Sequence, residues 1–182
     1  MPKKLILWVV VFFVACTPHE YTVTVLDNPQ PVEDFTLTAH TGEQVSLSDT
    51  AGKWRVLYFG FTTCPDVCPT TMFEMRRAWE ELGTEAEDAQ FYMVSVDPQR
   101  DTPEALGQYV TNFHPSFVGL RTDDPDTLAA VASDFGIYYE LGVAEEGTPD
   151  VYDVAHTESI IVIDPQGQFV ALVPPDTPAD AI

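Results

Sequence analysis

Apolar and polar positions along the 182 residues change period in a regular order. Residues 34–37 and 44–47 alternate about His40-Thr41-Gly42-Glu43, a pattern that predicts a hairpin. Residues 54–61 are nearly unbroken in apolar character, with β-branched and aromatic members, as expected of a strand buried on both faces. Met72, Met75, Trp79 and Leu82 recur at helical spacing and predict a helix from Thr70 to Leu82, closed by Gly83. Residues 91–96 predict a second buried strand. Thr102-Pro103 and Asp124-Pro125 each set a capping side chain before a proline, predicting helices that run to about Asn112 and about Phe135. A short strand follows at 137–141, and 159–163 and 168–173 flank the turn Asp164-Pro165-Gln166-Gly167. Strands alternating with helices, closed by a hairpin, predict one α/β domain with a mainly parallel, partly mixed sheet and helices on both faces.

The first residues follow another pattern. Lys3 and Lys4 precede an apolar run from Leu5 to Ala15, with no acid before Glu20. That run is too short to span a bilayer comfortably and has the charged start and small-residue end of a secretory signal. Phe13-Val14-Ala15-Cys16 resembles the lipobox of bacterial lipoproteins, which implies removal of residues 1–15 and lipid on Cys16. The plainer alternative is an ordinary signal or short anchor that happens to end near a cysteine. Residues 16–31, with Pro18, Pro29 and Pro31, then form a tether between a membrane and a domain at 32–182. The expected location is the outer side of a bacterial envelope membrane.

Charge narrows the partners. Asp and Glu number 29 against 8 Lys and Arg, a net charge of −21. Phosphate backbones need clustered cations, so nucleic acid is excluded, and the folded body is unsuited to anionic lipid. The acids are most simply a solvated surface. Three cysteines are too few for a disulfide-built scaffold, so their chemistry is local.

Two of them stand in Cys64-Pro65-Asp66-Val67-Cys68, between a buried strand and a helix. Unpaired backbone N–H groups and the helix dipole favour a thiolate there and are expected to lower its pKa. Such a pair can close a disulfide or hold one soft metal ion. A purely structural disulfide would add little, because so short a loop removes little entropy from the unfolded chain.

With its neighbours this segment resembles the Sco/SenC family. The resemblance is carried by Gly-Phe-Thr-Thr-Cys-Pro-Asp-Val-Cys-Pro-Thr-Thr at 60–71 and by Ser-Val-Asp-Pro-Gln-Arg-Asp-Thr-Pro at 95–103. It ends with His156 ahead of Ile-Ile-Val-Ile-Asp-Pro-Gln-Gly at 160–167. The resemblance implies a thioredoxin-like α/β fold, with a mixed central sheet flanked by helices and an N-terminal hairpin. It implies one copper ion per chain, as Cu(I) or Cu(II), bound by Cys64, Cys68 and His156. Thiolates suit Cu(I) and imidazole makes the set acceptable to Cu(II), whereas a closed zinc site would want a fourth ligand. The implied role is copper delivery to the binuclear copper centre of cytochrome c oxidase. The implied partners are the copper-bearing oxidase subunit, a copper donor and a thiol reductant.

Taken alone, His156 would pass for a hydrogen-bonded loop histidine; the family match makes it a ligand. His19, His40 and His114 are expected on the surface, and Met72 and Met75 in the core. Asp97, Arg100 and Asp101 either cap a turn or shape the rim of the site. Ala155-His156-Thr157 departs from the family's usual Asp-His-Ser, leaving Asp153 or another residue to orient the imidazole. A C-terminal helix, normal in the family, would start at Thr177-Pro178 and reach only Ile182.

Three activities compete. The first is copper delivery. The second is thiol–disulfide reduction of the oxidase's copper-ligand cysteines by Cys64 and Cys68, which uses the same thiolates. The third, a peroxiredoxin-like peroxidase, lacks its motif, since Phe61 and Pro65 stand where threonine would precede each cysteine by three. A general thioredoxin fits poorly too: the spacing is CxxxC, and residues 154–159 carry a histidine and no proline.

Overall fold

The structure is a computed structural model that describes residues 23–144, 147–148, 151–175 and 177–182. The expected signal at 1–15 and the lipidation site Cys16 lie outside the described residues. Among the described residues there are ten strands: β1 (Thr24–Pro31), β2 (Thr36–Ala39), β3 (Gln44–Ser46), β4 (Trp54–Gly60), β5 (Ala89–Ser95), β6 (Val118–Arg121), β7 (Tyr139–Leu141), β8 (Val154–His156), β9 (Ile160–Ile163) and β10 (Gln168–Val173). Three α-helices join them: α1 (Val67–Leu82), α2 (Pro103–Phe113) and α3 (Pro125–Asp134).

Eight strands make one sheet in the order β1-β10-β9-β4-β5-β6-β2-β3, and β7 and β8 pair apart from it. Only β4–β5 and β5–β6 run parallel; every other pair is antiparallel. The mixed central sheet implied by the family resemblance therefore forms, while the mainly parallel, partly mixed sheet expected from element order is corrected to one with only two parallel pairs. The physical reason is that both ends of the chain come back as antiparallel strands around a short βαβαβ centre. The hairpin β2–β3 forms as expected and closes one edge through β2–β6.

A second correction concerns the tether. Residues 24–31, the second half of the tether expected at 16–31, form β1 and pair with β10 across an irregularity between Val25 and Gln30. Pro29 and Pro31 are tolerated because β1 is an edge strand, where a missing N–H costs little.

Helix starts follow the chemistry read from the sequence. Thr102 accepts the Ala105 N–H at 3.2 Å and Asp124 accepts the Asp126 N–H at 3.3 Å. Helix α1 begins three residues earlier than its apolar period suggested, placing Cys68 inside its first turn, where Pro69 lacks only an N–H that has no helical partner. On one face of the sheet, Trp79 of α1 packs edge-on against Phe91 and Phe117, with ring centroids 6.0 and 5.3 Å away. On the other, Phe135 at the end of α3 meets Phe59 of β4 at 6.0 Å. Met72 and Met75 are fully buried, as core residues should be. Thr177-Pro178 leads into a single 3-10 turn, Ala179–Ala181, and among the described residues no helix is long and apolar enough to cross a membrane.

Candidate metal centre

Strand β4 delivers the chain into the middle of the sheet's edge, and the loop 61–66 turns it into α1. Gly60 makes that turn fit. A Cβ there would lie 2.8 Å from the Tyr58 ring, 3.1 Å from Cys68 Sγ and 3.3 Å from the Met93 methyl, so a side chain would push the helix off the strand. Next, buried Asp101 pins the loop, accepting the Thr62 hydroxyl at 2.6 Å, the Thr62 N–H at 3.1 Å and the Ser95 hydroxyl at 2.6 Å. Burial raises the Asp101 pKa despite those donors. This settles one choice left open by the sequence: Asp101 is a structural lock beneath the cysteine loop.

Cys64 is half-buried and Cys68 is buried; both are free thiols. The Cys68 N–H points at Cys64 Sγ at 3.4 Å, an unpaired donor of the first helical turn aimed at a sulfur. The expected fall in thiol pKa does not hold for Cys68. Burial pushes its thiol up to about 12, partly offset by the Tyr58 hydroxyl and the Phe61 backbone N–H. Desolvation of the charged form outweighs the helix terminus there.

His156 is the last residue of β8 and half-buried. Its Nδ1 lies 3.0 Å from the Thr157 carbonyl oxygen. A carbonyl can only accept, so Nδ1 carries the proton and the lone pair sits on Nε2. That Nε2 faces Cys68 Sγ at 3.8 Å, where the protonated thiol can donate to it. The imidazole is also wedged edge-on between Phe61, at 5.6 Å between centroids, and Tyr58, at 6.3 Å. The orienting partner is thus a main-chain carbonyl and not Asp153, whose side chain is exposed.

The fold therefore brings together the three residues singled out in the sequence, which are adjacent in space though 92 positions apart at the extremes. Their ligand atoms lie within 4.8 Å of one another, and among the described residues no other cluster of this kind occurs. Metal bonds of about 2.0–2.3 Å to nitrogen and sulfur set ligand atoms about 3.5–4 Å apart, so a small inward movement closes the set on one ion. Two thiols and one imidazole suit copper in either oxidation state, and among the described residues no fourth ligand joins the cluster to close a zinc site. Of the other histidines, expected on the surface, His40 and His114 are both half-buried; His114 bonds to Ser116. The His40 Nδ1 accepts the Gly119 N–H at 3.1 Å. His19 lies outside the described residues. An apolar groove of about 920 Å³ runs past Trp54, Leu82 and Ile182, and none of the three ligand candidates lines it.

A thioredoxin-like sheet carrying a Cys-Cys-His cluster at the start of its first helix defines a class, and comparison with known proteins places the chain within it. The chain belongs to the SCO1/SenC family, whose profile matches residues 23–182. It is 40% identical over 138 residues to the human mitochondrial protein SCO1 homolog, covering 75% of this chain and 45% of that one. It thus spans about half the length of that relative. Among solved structures, apo Sco1 from Thermus thermophilus is 42% identical, with a TM-score of 0.77 over 90% of this chain and 92% of that one. ScoI from Bradyrhizobium japonicum with copper bound is 32% identical, with a TM-score of 0.74 over 83% and 94%. BsSco is 25% identical, with a TM-score of 0.67 over 86% and 91%. It is described as a member of the Sco family of cytochrome c oxidase assembly proteins with a disulfide switch.

Sequence reasoning missed several residues around the site. Tyr58 and Phe61 flank the imidazole, yet as members of an apolar run they gave no sign beyond burial. Tyr152, whose contacts are described below, is one of seven tyrosines. Only the Asp97-Pro98-Gln99-Arg100-Asp101 block could have pointed towards it.

Proposed function

We propose that this chain binds one copper ion through Cys64, Cys68 and His156 and delivers it to the binuclear copper centre of cytochrome c oxidase. The observation that carries this is the convergence of two sulfurs and a lone-pair-bearing Nε2 within 4.8 Å. Copper, when bound, supplies a soft cation whose charge favours the thiolate forms over the protonated ones. The protein's own part is to present two sulfurs from a fixed loop and one nitrogen whose tautomer is already set. The apo protein keeps Cys68 protonated by burial, so loading releases that proton. Copper-bound relatives support the cargo, and BsSco supports the oxidase as recipient. Lipid on Cys16 would hold the domain to the outer face of a membrane, with a copper donor and a thiol reductant acting there.

Copper loading of the reduced soluble domain tests this directly, with metal counted per chain and thiols titrated before and after. One ion per chain with both thiols protected is expected. Cys64→Ser and Cys68→Ser should each abolish tight binding, and His156→Ala should weaken Cu(II) more than Cu(I). Stoichiometric Cu(II) binding by Cys64→Ser would overturn the ligand set.

A second activity, reduction of the oxidase's copper-ligand cysteines, is favoured by the unequal exposure of the pair. Half-buried Cys64 can attack a substrate disulfide as the thiolate, forming a mixed disulfide and releasing one substrate thiol. Cys68 then attacks Cys64 Sγ, closing the Cys64–Cys68 disulfide and releasing the second thiol; a partner reductant restores the dithiol. The attack by Cys64 needs no imidazole. If delivery is the main task, His156→Ala fails to restore oxidase activity at limiting copper in cells lacking the wild-type protein. Full restoration there would replace delivery by reduction.

A further inference from the structure

Tyr152 lies four residues before His156, between exposed Val151 and exposed Asp153, and is itself half-buried. Its side chain and backbone are gripped at three points. The hydroxyl donates to Asp97 Oδ1 at 2.5 Å. The ring lies under the Arg100 guanidinium, 4.0 Å from its carbon. The backbone carbonyl accepts from Arg100 Nη1 at 3.0 Å. Asp97 is fully buried, forms an ion pair with Arg100 through its other oxygen, and takes its place at the end of β5 by donating its N–H to the Ser95 hydroxyl at 3.1 Å. The same guanidinium lies 5.7 Å from the Phe61 ring, which abuts His156.

A single cation thus touches the loop that carries the cysteines and the segment that carries the histidine. The need for it follows from the architecture. Strand β8 belongs to a two-stranded ribbon outside the main sheet, and a ribbon of that size has little stability of its own. We propose that Asp97, Arg100 and Tyr152 form a clasp that positions His156 over the cysteine pair. These are positioning residues: none contributes an atom to the cluster, and all act through the imidazole. Arg100 suits the task because its planar fork can stack on a ring and bond a carbonyl at once, which an ammonium cannot do. The inference rests on the ligand set proposed above.

Affinity for Cu(I) and for Cu(II) is measured for the wild type, Tyr152→Phe, Arg100→Lys, His156→Ala, and Tyr152→Phe combined with His156→Ala. Tyr152→Phe removes one hydroxyl and keeps the ring, so the fold survives it; thermal unfolding checks this. Both clasp variants should weaken Cu(II) about tenfold, the scale seen when an outer partner of a ligand is lost. Cu(I), satisfied by two thiolates, should change by less than about threefold. On the His156→Ala background, Tyr152→Phe should cost nothing further. In the metal-free protein the Gly142 and Thr157 amides, bonded to Asp153 and Tyr138 across the ribbon, should exchange with solvent faster, with β4 and β5 unchanged. Equal losses for both oxidation states, or a further Cu(II) loss without His156, would overturn the clasp. So would unchanged Cu(II) binding in Tyr152→Phe and Arg100→Lys when His156→Ala alone weakens it. If His156→Ala leaves Cu(II) intact, the ligand set falls and the clasp falls with it.

Discussion

Cys68 and His156 face each other across 3.8 Å, yet unequal amounts of structure hold them. Cys68 sits in a 16-residue helix with Met72 and Met75 buried behind it, and β4 leads in from the middle of the sheet, paired on both sides. His156 ends a three-residue strand whose partner β7 has three residues as well. Tyr138, Val143 and Val151 around that ribbon are exposed. Opening the ribbon uncovers little apolar surface, whereas shifting the cysteine loop uncovers the core, so local opening belongs to the histidine arm. The contrast teaches that the two sulfurs form the fixed half of the proposed centre and the nitrogen the adjustable half. A change in ligand number then requires movement of one small arm and leaves the domain intact.

The sharpest way to break this contrast is to attack the fixed half. Asp101→Ala leaves the Thr62 N–H and the Thr62 and Ser95 hydroxyls without their buried acceptor, and should cost about 3 kcal/mol of stability in urea unfolding. It should weaken Cu(I) and Cu(II) binding together. A loss confined to Cu(II) would mean that the loop is held by something else. The adjustable half should respond differently. A Cβ at Gly142 would meet the Asp153 carbonyl oxygen at 3.0 Å and its nitrogen at 3.2 Å, both main-chain atoms. Gly142→Ala should therefore part the ribbon at a cost of about 1 kcal/mol in global stability, while Cu(II) affinity falls and Cu(I) stays. A stability loss matching that of Asp101→Ala would erase the distinction.

The smallest effect is a dependence on pH. Cys68 holds its proton to about pH 12 when folded, against an ordinary value of 9.0. The stabilisation this brings is complete below pH 9 and is lost as pH rises towards 12. The reduced protein should lose stability over that window, and Cys68→Ser should remove this part of the slope. Iodoacetamide at pH 8 should modify Cys64 first, because Cys64 is half-buried whereas Cys68 is buried and burial keeps its thiol protonated. Faster modification of Cys68, read by peptide mass, would contradict its burial.

Much of this was legible in the chain itself. The apolar runs gave β4 and β5, helical spacing gave α1, the two cap-proline pairs gave α2 and α3, and the position of CxxxC between a strand and a helix is where the structure has it. What escaped was short or main-chain in origin. Val154–His156 is too brief to show a period. Thr24–Pro31 carries Asp27, Asn28 and two prolines, and its strand exists only because β10 supplies an edge. The Cys68 pKa reversed direction because sequence displays a helix start and not the complete burial of the sulfur in the folded chain. The orienting partner of His156 was sought among acids, whereas a carbonyl leaves no trace in side-chain identity.

That carbonyl has a consequence for which neighbours of the histidine can be exchanged. Every amino acid carries the same backbone oxygen, so the proton on Nδ1 is insured against substitution at the exposed neighbours 153 and 155. An acid can stand beside the histidine or be absent without resetting which ring nitrogen is free. Exchange at those two positions alters the outer surface of the arm and leaves the free ring nitrogen where it is.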